Sequence, residues 1–303
     1  MIIDVHCHHI HERPPDMAAR YLTGIAELRG VQKPVEEFIE WWRGYIADQP
    51  TYDAFVGRMN EAGIDKAVLF YSDDVGDGYS DEALLEINRH VSRISERHPG
   101  RIIPFASVDP RRGEAPDLFR RCIVEYGMRG LKWHPDDGFY PNSEASFRVL
   151  EVASELGAPL ITHSGPLPGV RSEYAHPIHL DDVASSFPEL PIVAAHMGDT
   201  WWREWLAIVQ YKRNIYGDLA MWQFTAETNM AKLRSVLREV IDSVGPGQVL
   251  FATDAPAFEA IVSNRTWVDA VKSLAEKSDD DIRFSQAEVD AILGGNAEKI
   301  LKI

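Results

Sequence analysis

Cysteine is scarce in this sequence: Cys7 and Cys122 are the only two among 303 residues. Two isolated thiols give no disulfide framework, and they read as small buried side chains in a chain suited to a reducing cytoplasm. Long apolar runs are missing as well. None approaches the roughly 20 residues that a membrane-spanning helix needs. Asp4 and the histidines after it interrupt the first apolar stretch before it could act as a signal segment. Basic residues are in deficit, 31 Lys and Arg against 47 Asp and Glu, for a net charge of −16. That balance speaks against a nucleic-acid backbone as partner, which calls for a basic groove. No linker, repeat or low-complexity stretch divides the chain. With 45% hydrophobic and 26% charged residues it has the composition of an ordinary soluble globular protein, taken as one domain over 1–303. A small molecule is the default partner, and a homo-oligomer is allowed.

What the sequence does have is alternation. Short apolar runs occur at "IIDVHCH" (2–8), "DKAVLFY" (65–71), "RIIPFASV" (101–108) and "MRGLKWH" (128–134). Four more follow at "APLITH" (158–163), "PIVAAH" (191–196), "NIYGDLA" (214–220) and "QVLFATD" (248–254). Segments of helical spacing separate them, such as "SDEALLEINRHVSRISERHPG" (80–100), which opens on an N-cap serine and stops at Pro-Gly. Eight near-continuous apolar strands, each followed by an amphipathic helix, imply a parallel sheet covered on both faces. A (β/α)8 TIM barrel fits that count, with a doubly wound open sheet as the alternative architecture. One segment breaks the scheme. Residues 11–50 form an insertion after strand one, carrying "FIEWWRGYIADQP". Its Trp41 and Trp42 read as packing aromatics, with a lid over the site as the other reading.

The polar residues gather at the strand ends. In such a barrel the site lies at the C-terminal ends of the strands. Strand one ends in His6 and His8, strand four in Lys132 and His134, strand five in His163, strand six in His196 and strand eight in Asp254. Any one strand-end histidine reads most simply as a hydrogen-bonded structural residue. Five of the eleven histidines at one mouth, beside an aspartate, do not. Imidazole nitrogens and a carboxylate suit one divalent ion, zinc first, with manganese, iron or cobalt also admitted. His6, His8, His163 and Asp254 supply the ligands in this reading, and His196 is left to act as acid or base.

Together "DVHCH", "ITHSG", "AAHMGD" and "FATDAP" resemble the amidohydrolase superfamily, in the branch called amidohydrolase family 2. That branch includes aminocarboxymuconate-semialdehyde decarboxylase, resorcylate decarboxylases and several hydrolases. The tail "ILGGNAEKIL" (292–301) is similar to the branch's closing helix. The resemblance implies a (β/α)8 barrel with one metal ion. His6 and His8 match its first-strand pair, His163 its fifth-strand ligand, Asp254 its eighth-strand aspartate and His196 its non-ligand catalytic histidine. Lys132 stands where some branches carry a carboxylated lysine bridging two ions; family 2 members commonly have the lysine without a second metal. The stretch "HMGDTWW" departs from the glycine-rich sequence that the decarboxylases tend to show after strand six.

These readings give an expected activity. It is metal-dependent hydrolysis of a small carboxylated lactone or amide, with Asp254 taking the water's proton and His196 serving the developing oxyanion. The alternative is non-oxidative decarboxylation of an aromatic or unsaturated acid; a non-catalytic binding barrel ranks last. Lys132 and His134 are expected to bind an anionic group of the substrate, although an ion pair at the barrel mouth suits Lys132 equally. Trp201 and Trp202 are expected either to wall a flat substrate or to pack on the barrel. Asp4 is placed on the face of His6 and His8, because a strand sends every second side chain to one side. His9, His11, His176 and His179 have no assigned place, while His90 and His98 read as solvated.

Overall fold

The computed structural model describes residues 1–11, 13–276 and 282–303. Eight parallel strands run in chain order around one sheet: β1 (Ile3–His8), β2 (Lys66–Phe70), β3 (Ile102–Ser107), β4 (Leu131–Trp133), β5 (Leu160–Thr162), β6 (Ile192–Ala194), β7 (Ile215–Asp218) and β8 (Val249–Leu250). The chain beyond β8 returns to β1 and closes the barrel. Val5 N–H donates to the Phe251 carbonyl, Asp254 N–H to the His6 carbonyl and His8 N–H to the Ala255 carbonyl. The fold is the expected (β/α)8 barrel.

Two apolar clusters divide along the sheet. Val5, Val68, Phe105, Ile161, Val193 and Leu250 fill the interior, and Ile300 and Leu301 of the C-terminal helix join them beside the strand starts. The alternate residues, such as Leu69, Leu131, Leu160 and Ile192, face outward against the helices. Local signals set the helix ends. Ser80 and Ser143 each accept a backbone N–H three residues on, and Gly63 and Gly157 end their helices at positive φ. Among the described residues no helix is long and apolar enough to cross a membrane.

The first strand departs from simple alternation. Its pairing with β2 shifts register between Asp4 and Cys7. Ile3 and Val5 belong to the interior cluster, so Asp4 faces outward, yet beyond the irregularity it is His6 that meets interior Phe70. Asp4 therefore does not share a face with His6 and His8, as strict alternation predicts. The cause is local: the Asp4 carboxylate accepts the N–H of His6, two residues on, and also Thr253 N–H, Thr253 O–H and Cys7 S–H. Such a side-chain-to-backbone bond competes with the ladder and favours a bulge. The bulge turns both histidines into the barrel mouth.

The insertion is helical. α1 (Pro15–Leu28) and α2 (Val35–Asp48) pack on each other before α3 (Asp53–Ala62) resumes the barrel order. Trp42 is buried and donates to the Arg13 carbonyl; Trp41 donates to the Pro256 carbonyl beneath the Arg58 guanidinium. Both are packing aromatics. Just past α1, Arg29 grips Asp199 in a two-pronged ion pair at 3.1 and 2.7 Å, tying the insertion to the loop after β6.

That loop has little room. A Cβ on Gly217 of β7 would lie 2.5 Å from Met197 Cγ and 2.7 Å from Trp205 Cζ2. Gly217→Ala is expected to lower unfolding stability by about 1–3 kcal/mol, the usual size of overpacking. A denaturant midpoint equal to wild type would show that the loop yields freely.

Candidate active site

The barrel mouth brings together side chains from β1, β4, β5, β6, β7 and β8. His6 Nε2 and His8 Nε2 lie 3.0 Å apart. Asp254 Oδ1 is 3.9 Å from the first and 3.4 Å from the second. His196 Nε2 stands 3.8 Å from Asp254 Oδ2 and 3.2 Å from His163 Nδ1. Met197 to Asp199 continue from His196 at positive φ (63°, 50°, 78° and 49° for 196–199), a turn held by the Arg29 pair. Ligand atoms of His6, His8 and Asp254 form one mutually close group; His163 falls in a neighbouring group with His134 and Asp136.

Outward partners fix which nitrogen of each ring carries its proton. His6 Nδ1 donates to Asp218 Oδ2 at 2.9 Å, His196 Nδ1 to the Ala220 carbonyl at 3.2 Å and His163 Nε2 to the Gly165 carbonyl at 3.0 Å. Each inward nitrogen is left with a lone pair. Burial, reinforced by neighbouring cationic groups, holds His6, His8 and His196 well below the ordinary imidazole range. Burial pushes His163 down to about 3, against the opposing pull of Asp136. Neutral His163 and His196 have spent their protons outward, so two bare nitrogens face each other at 3.2 Å. A cation satisfies that arrangement, and an oriented imidazole whose outer N–H rests on a carboxylate or carbonyl is the usual support of a metal ligand. The residues fit a divalent ion. His6, His8 and Asp254 would hold it, with His163 Nδ1 completing the set.

Asp218 is the residue the sequence reading passed over. It is fully buried at the end of β7, and its second oxygen accepts the N–H groups of His196 and Ala220. One carboxylate thus orients the His6 ring and pins the start of the left-handed turn. Parity along "NIYGDLA" carries the signal: Ile215 packs outward and Tyr216 inward, so Asp218 points inward with Tyr216.

Other expected positions move. Lys132 does face the histidines, but from below: its Nζ lies 3.1 Å from His6 Nε2 and 4.7 Å from the Phe70 ring centre, and it is not a wall of the cavity. Burial lowers its pKa, opposed by Asp254 and Asp218. Burial raises that of Asp254, opposed by Lys132. His134 does line the cavity, stacked on His163 at 4.5 Å and paired through Nδ1 with Asp136 Oδ1 at 2.6 Å. Trp201 and Trp202 do not wall it. Trp202 begins the helix Trp202–Val209 and packs in the outer core, while Trp201 lies against His176. The left-handed turn has carried the chain out of the mouth before it reaches them.

Above the donor set lies a cavity of about 250 Å³. Tyr71, Phe258, Leu167 and Met221 give it apolar walls, and the insertion supplies Tyr21 and Arg13. The last two could not be read from the sequence, because only the packing of the insertion brings them there.

A (β/α)8 barrel whose mouth collects five imidazoles and a buried aspartate around an open cavity has the layout of a metal-dependent barrel enzyme. The sequence matches the family model Amidohydro_2, described as Amidohydrolase, over residues 3–303, and the chain belongs to this metal-dependent enzyme family. Solved structures agree on the fold. A 5-carboxyvanillate decarboxylase from Novosphingobium aromaticivorans, with bound manganese and 3-methoxy-4-hydroxy-5-nitrobenzoic acid, superposes with a TM-score of 0.72 at 17% identity, covering 100% of this chain and 97% of that one. A dihydroxybenzoic acid decarboxylase from a Polaromonas species, with bound manganese and 2-nitroresorcinol, gives 0.68 at 19% identity, over 99% and 96% of the two chains. A 4-oxalomesaconate hydratase from Rhodopseudomonas palustris gives 0.65 at 18% identity, over 100% and 96%.

Proposed function

We propose that this protein is a metal-dependent decarboxylase of a small aromatic or unsaturated carboxylic acid. The observation that carries the proposal is the cavity: a space of about 250 Å³, walled by Tyr21, Tyr71, Phe258, Leu167 and Met221, with the histidine–aspartate set at its base. Such a space suits a flat, unsaturated body whose carboxylate points at the donor set. The decarboxylases among the similar structures support the reading by analogy of fold. It reverses the order expected from the sequence, where hydrolysis of a lactone or amide came first.

Non-oxidative decarboxylation breaks the bond between carbon and the carboxylate carbon, leaves the electron pair on the substrate, and replaces the lost group with a proton. When bound, the cation supplies positive charge to hold the carboxylate and an adjacent oxygen. Asp254 has two distinct oxygens for its part: Oδ1 faces His6 and His8, while Oδ2 faces His196. Oδ2 is the atom from which a proton reaches the substrate carbon. The delivered proton stays on the product carbon, so His196 Nε2, 3.8 Å away, hands Oδ2 a replacement taken from solvent before the next turnover. Tyr71, Leu167, Met221 and Phe258 give the cavity its apolar side, and Asp74, Asp77 and Asp137 add polar walls.

Hydrolysis keeps one observation in its favour, since a neutral His196 beside a carboxylate also suits the activation of water. The test separates the two. Protein loaded with manganese or zinc is incubated in D2O with a panel of hydroxybenzoates and methoxybenzoates carrying one or two carboxylates, and with a panel of lactones and amides. The expected result is release of carbon dioxide with one deuterium at the vacated carbon. Turnover of the lactones or amides without carbon dioxide would overturn the proposal.

A further inference from the structure

A second cluster of histidines sits beside the catalytic mouth and takes no part in the chemistry described above. His9 and His11 follow β1, and His90 lies on α4 (Asp81–Arg97). Their rings converge: His9 and His90 have centres 5.0 Å apart, and His9 and His11 6.1 Å. Glu86 is one turn before His90, so the two share a helix face as an i, i+4 pair. All four line a separate cavity closed by Gln49, Pro50 and Ile87.

One atom in this cluster has no hydrogen-bond partner among the described residues. His9 is only 2% exposed, and its Nε2 is buried without a hydrogen bond. Leaving a buried polar atom unmet is costly, and such an atom points to a ligand. Its ring is nonetheless carefully held. His9 Nδ1 meets Tyr52 Oη at 2.7 Å, Tyr52 Oη meets Tyr45 Oη at 3.0 Å, and Tyr45 O–H reaches the His8 carbonyl at 3.3 Å while accepting Ile10 N–H. The chain is satisfied throughout when His9 Nδ1–H donates to Tyr52, which leaves a lone pair on Nε2. Tyr52 adopts φ 57° to make this contact, a left-handed conformation that is rare for a bulky residue. His90 has a matching support, because its Nε2 donates to the Gln49 carbonyl at 3.2 Å and leaves Nδ1 for a ligand.

We propose that His9, His11, His90 and Glu86 form a second site for a divalent transition-metal ion, separate from the His6, His8, His163 and Asp254 set. A metal–nitrogen bond of about 2.0–2.1 Å puts each ring centre roughly 3 Å from the ion, so two rings in a tetrahedral shell stand about 5 Å apart. His9 and His90 already have that spacing. The His9–His11 pair is wider by about an ångström by that measure, so an ion bound here requires the half-buried His11 ring to move inward. Glu86 must exchange its ion pairs with Arg93 and Arg89, both solvent-exposed and therefore weakly held. Three imidazoles and a carboxylate favour zinc, cobalt, nickel or copper over manganese. His9 and His11 also line the catalytic cavity, so filling this site draws two of its walls outward.

The test is a metal count on the intact protein. Wild type, stripped and then dialysed against a small excess of Co2+ or Zn2+, is expected to retain two equivalents by elemental analysis, the weaker one adding the visible absorption of tetrahedral cobalt. His90→Leu should retain one equivalent and lose that signal, with at least a tenfold loss of second-site affinity by calorimetry. Glu86→Gln, an exposed change that leaves packing alone, should weaken the second equivalent without removing it. His179→Leu, which alters a histidine near His176 on another face, should keep both. Saturation of wild type at one equivalent overturns the proposal, as does a second equivalent that survives in His90→Leu or disappears in His179→Leu.

Discussion

Asp218→Asn is expected to bind its divalent ion about 10- to 100-fold more weakly than wild type while keeping its fold. The carboxylate only accepts hydrogen bonds, so its 2.9 Å contact compels His6 to carry the proton on Nδ1 and to offer a lone pair from Nε2. An asparagine keeps one acceptor oxygen, which can continue to serve the N–H groups of His196 and Ala220. Its amide nitrogen then faces His6 Nδ1 as a donor. To accept from it, His6 must move its proton to Nε2, the atom facing His8 and Asp254. A ligand nitrogen that carries a proton cannot bind, and loss of such an outer partner typically weakens a metal site by that 10- to 100-fold factor. Equilibrium competition with a chelator measures the affinity, and circular dichroism checks the fold. An affinity equal to wild type would show that Asp218 holds only the β7 turn and does not set the His6 tautomer.

The same residue shows how far the sequence could be read. Eight strands were legible because parallel strands buried on both faces are short apolar runs, and each was bounded by turn residues or a helix. The strand-end histidines were legible for the same reason: the run stops where the site starts. Asp218 obeys the simple alternation of β7 and was still passed over, because strand seven carries no histidine to draw attention to it. Asp4 shows the opposite case. Alternation breaks there at a bulge: the Asp4 carboxylate accepts the His6 N–H two residues on and is held in place by Thr253, 249 residues away. Trp201 and Trp202 take the packing alternative because the positive-φ turn at 196–199, held by a long-range pair with Arg29 and by packing against Gly217, carries them out of the mouth. Arg13 and Tyr21 reach the cavity through the docking of an insertion whose own sequence signals only two amphipathic helices. Local pattern thus fixed which elements form; side-chain contacts between distant segments fixed where several of their residues point.

His196→Asn and His163→Asn should part company, the first losing turnover and the second losing metal. Both rings are buried and neutral, and their inward nitrogens lie only 3.2 Å apart, so proximity alone does not assign their roles. Their surroundings do. His163 is stacked face to face on His134 at 4.5 Å and is fixed by the Gly165 carbonyl, a rigid mounting that suits a ligand. His196 opens the left-handed turn, with its Nε2 3.8 Å from Asp254 Oδ2, and lines the cavity where a substrate would lie. That position suits proton transfer with Asp254. Asparagine in place of His196 keeps a polar group of smaller size and removes the titrating ring. Turnover should fall by about a hundredfold to ten-thousandfold, the usual range of a general acid–base contribution, with metal content near that of wild type. In His163→Asn the metal content should fall first, and activity should recover in part when the ion is supplied in excess. Elemental analysis beside kcat at saturating metal separates the two outcomes. Equal metal loss in both variants would make His196 a ligand, and would move the proton-handling role to Asp254 alone.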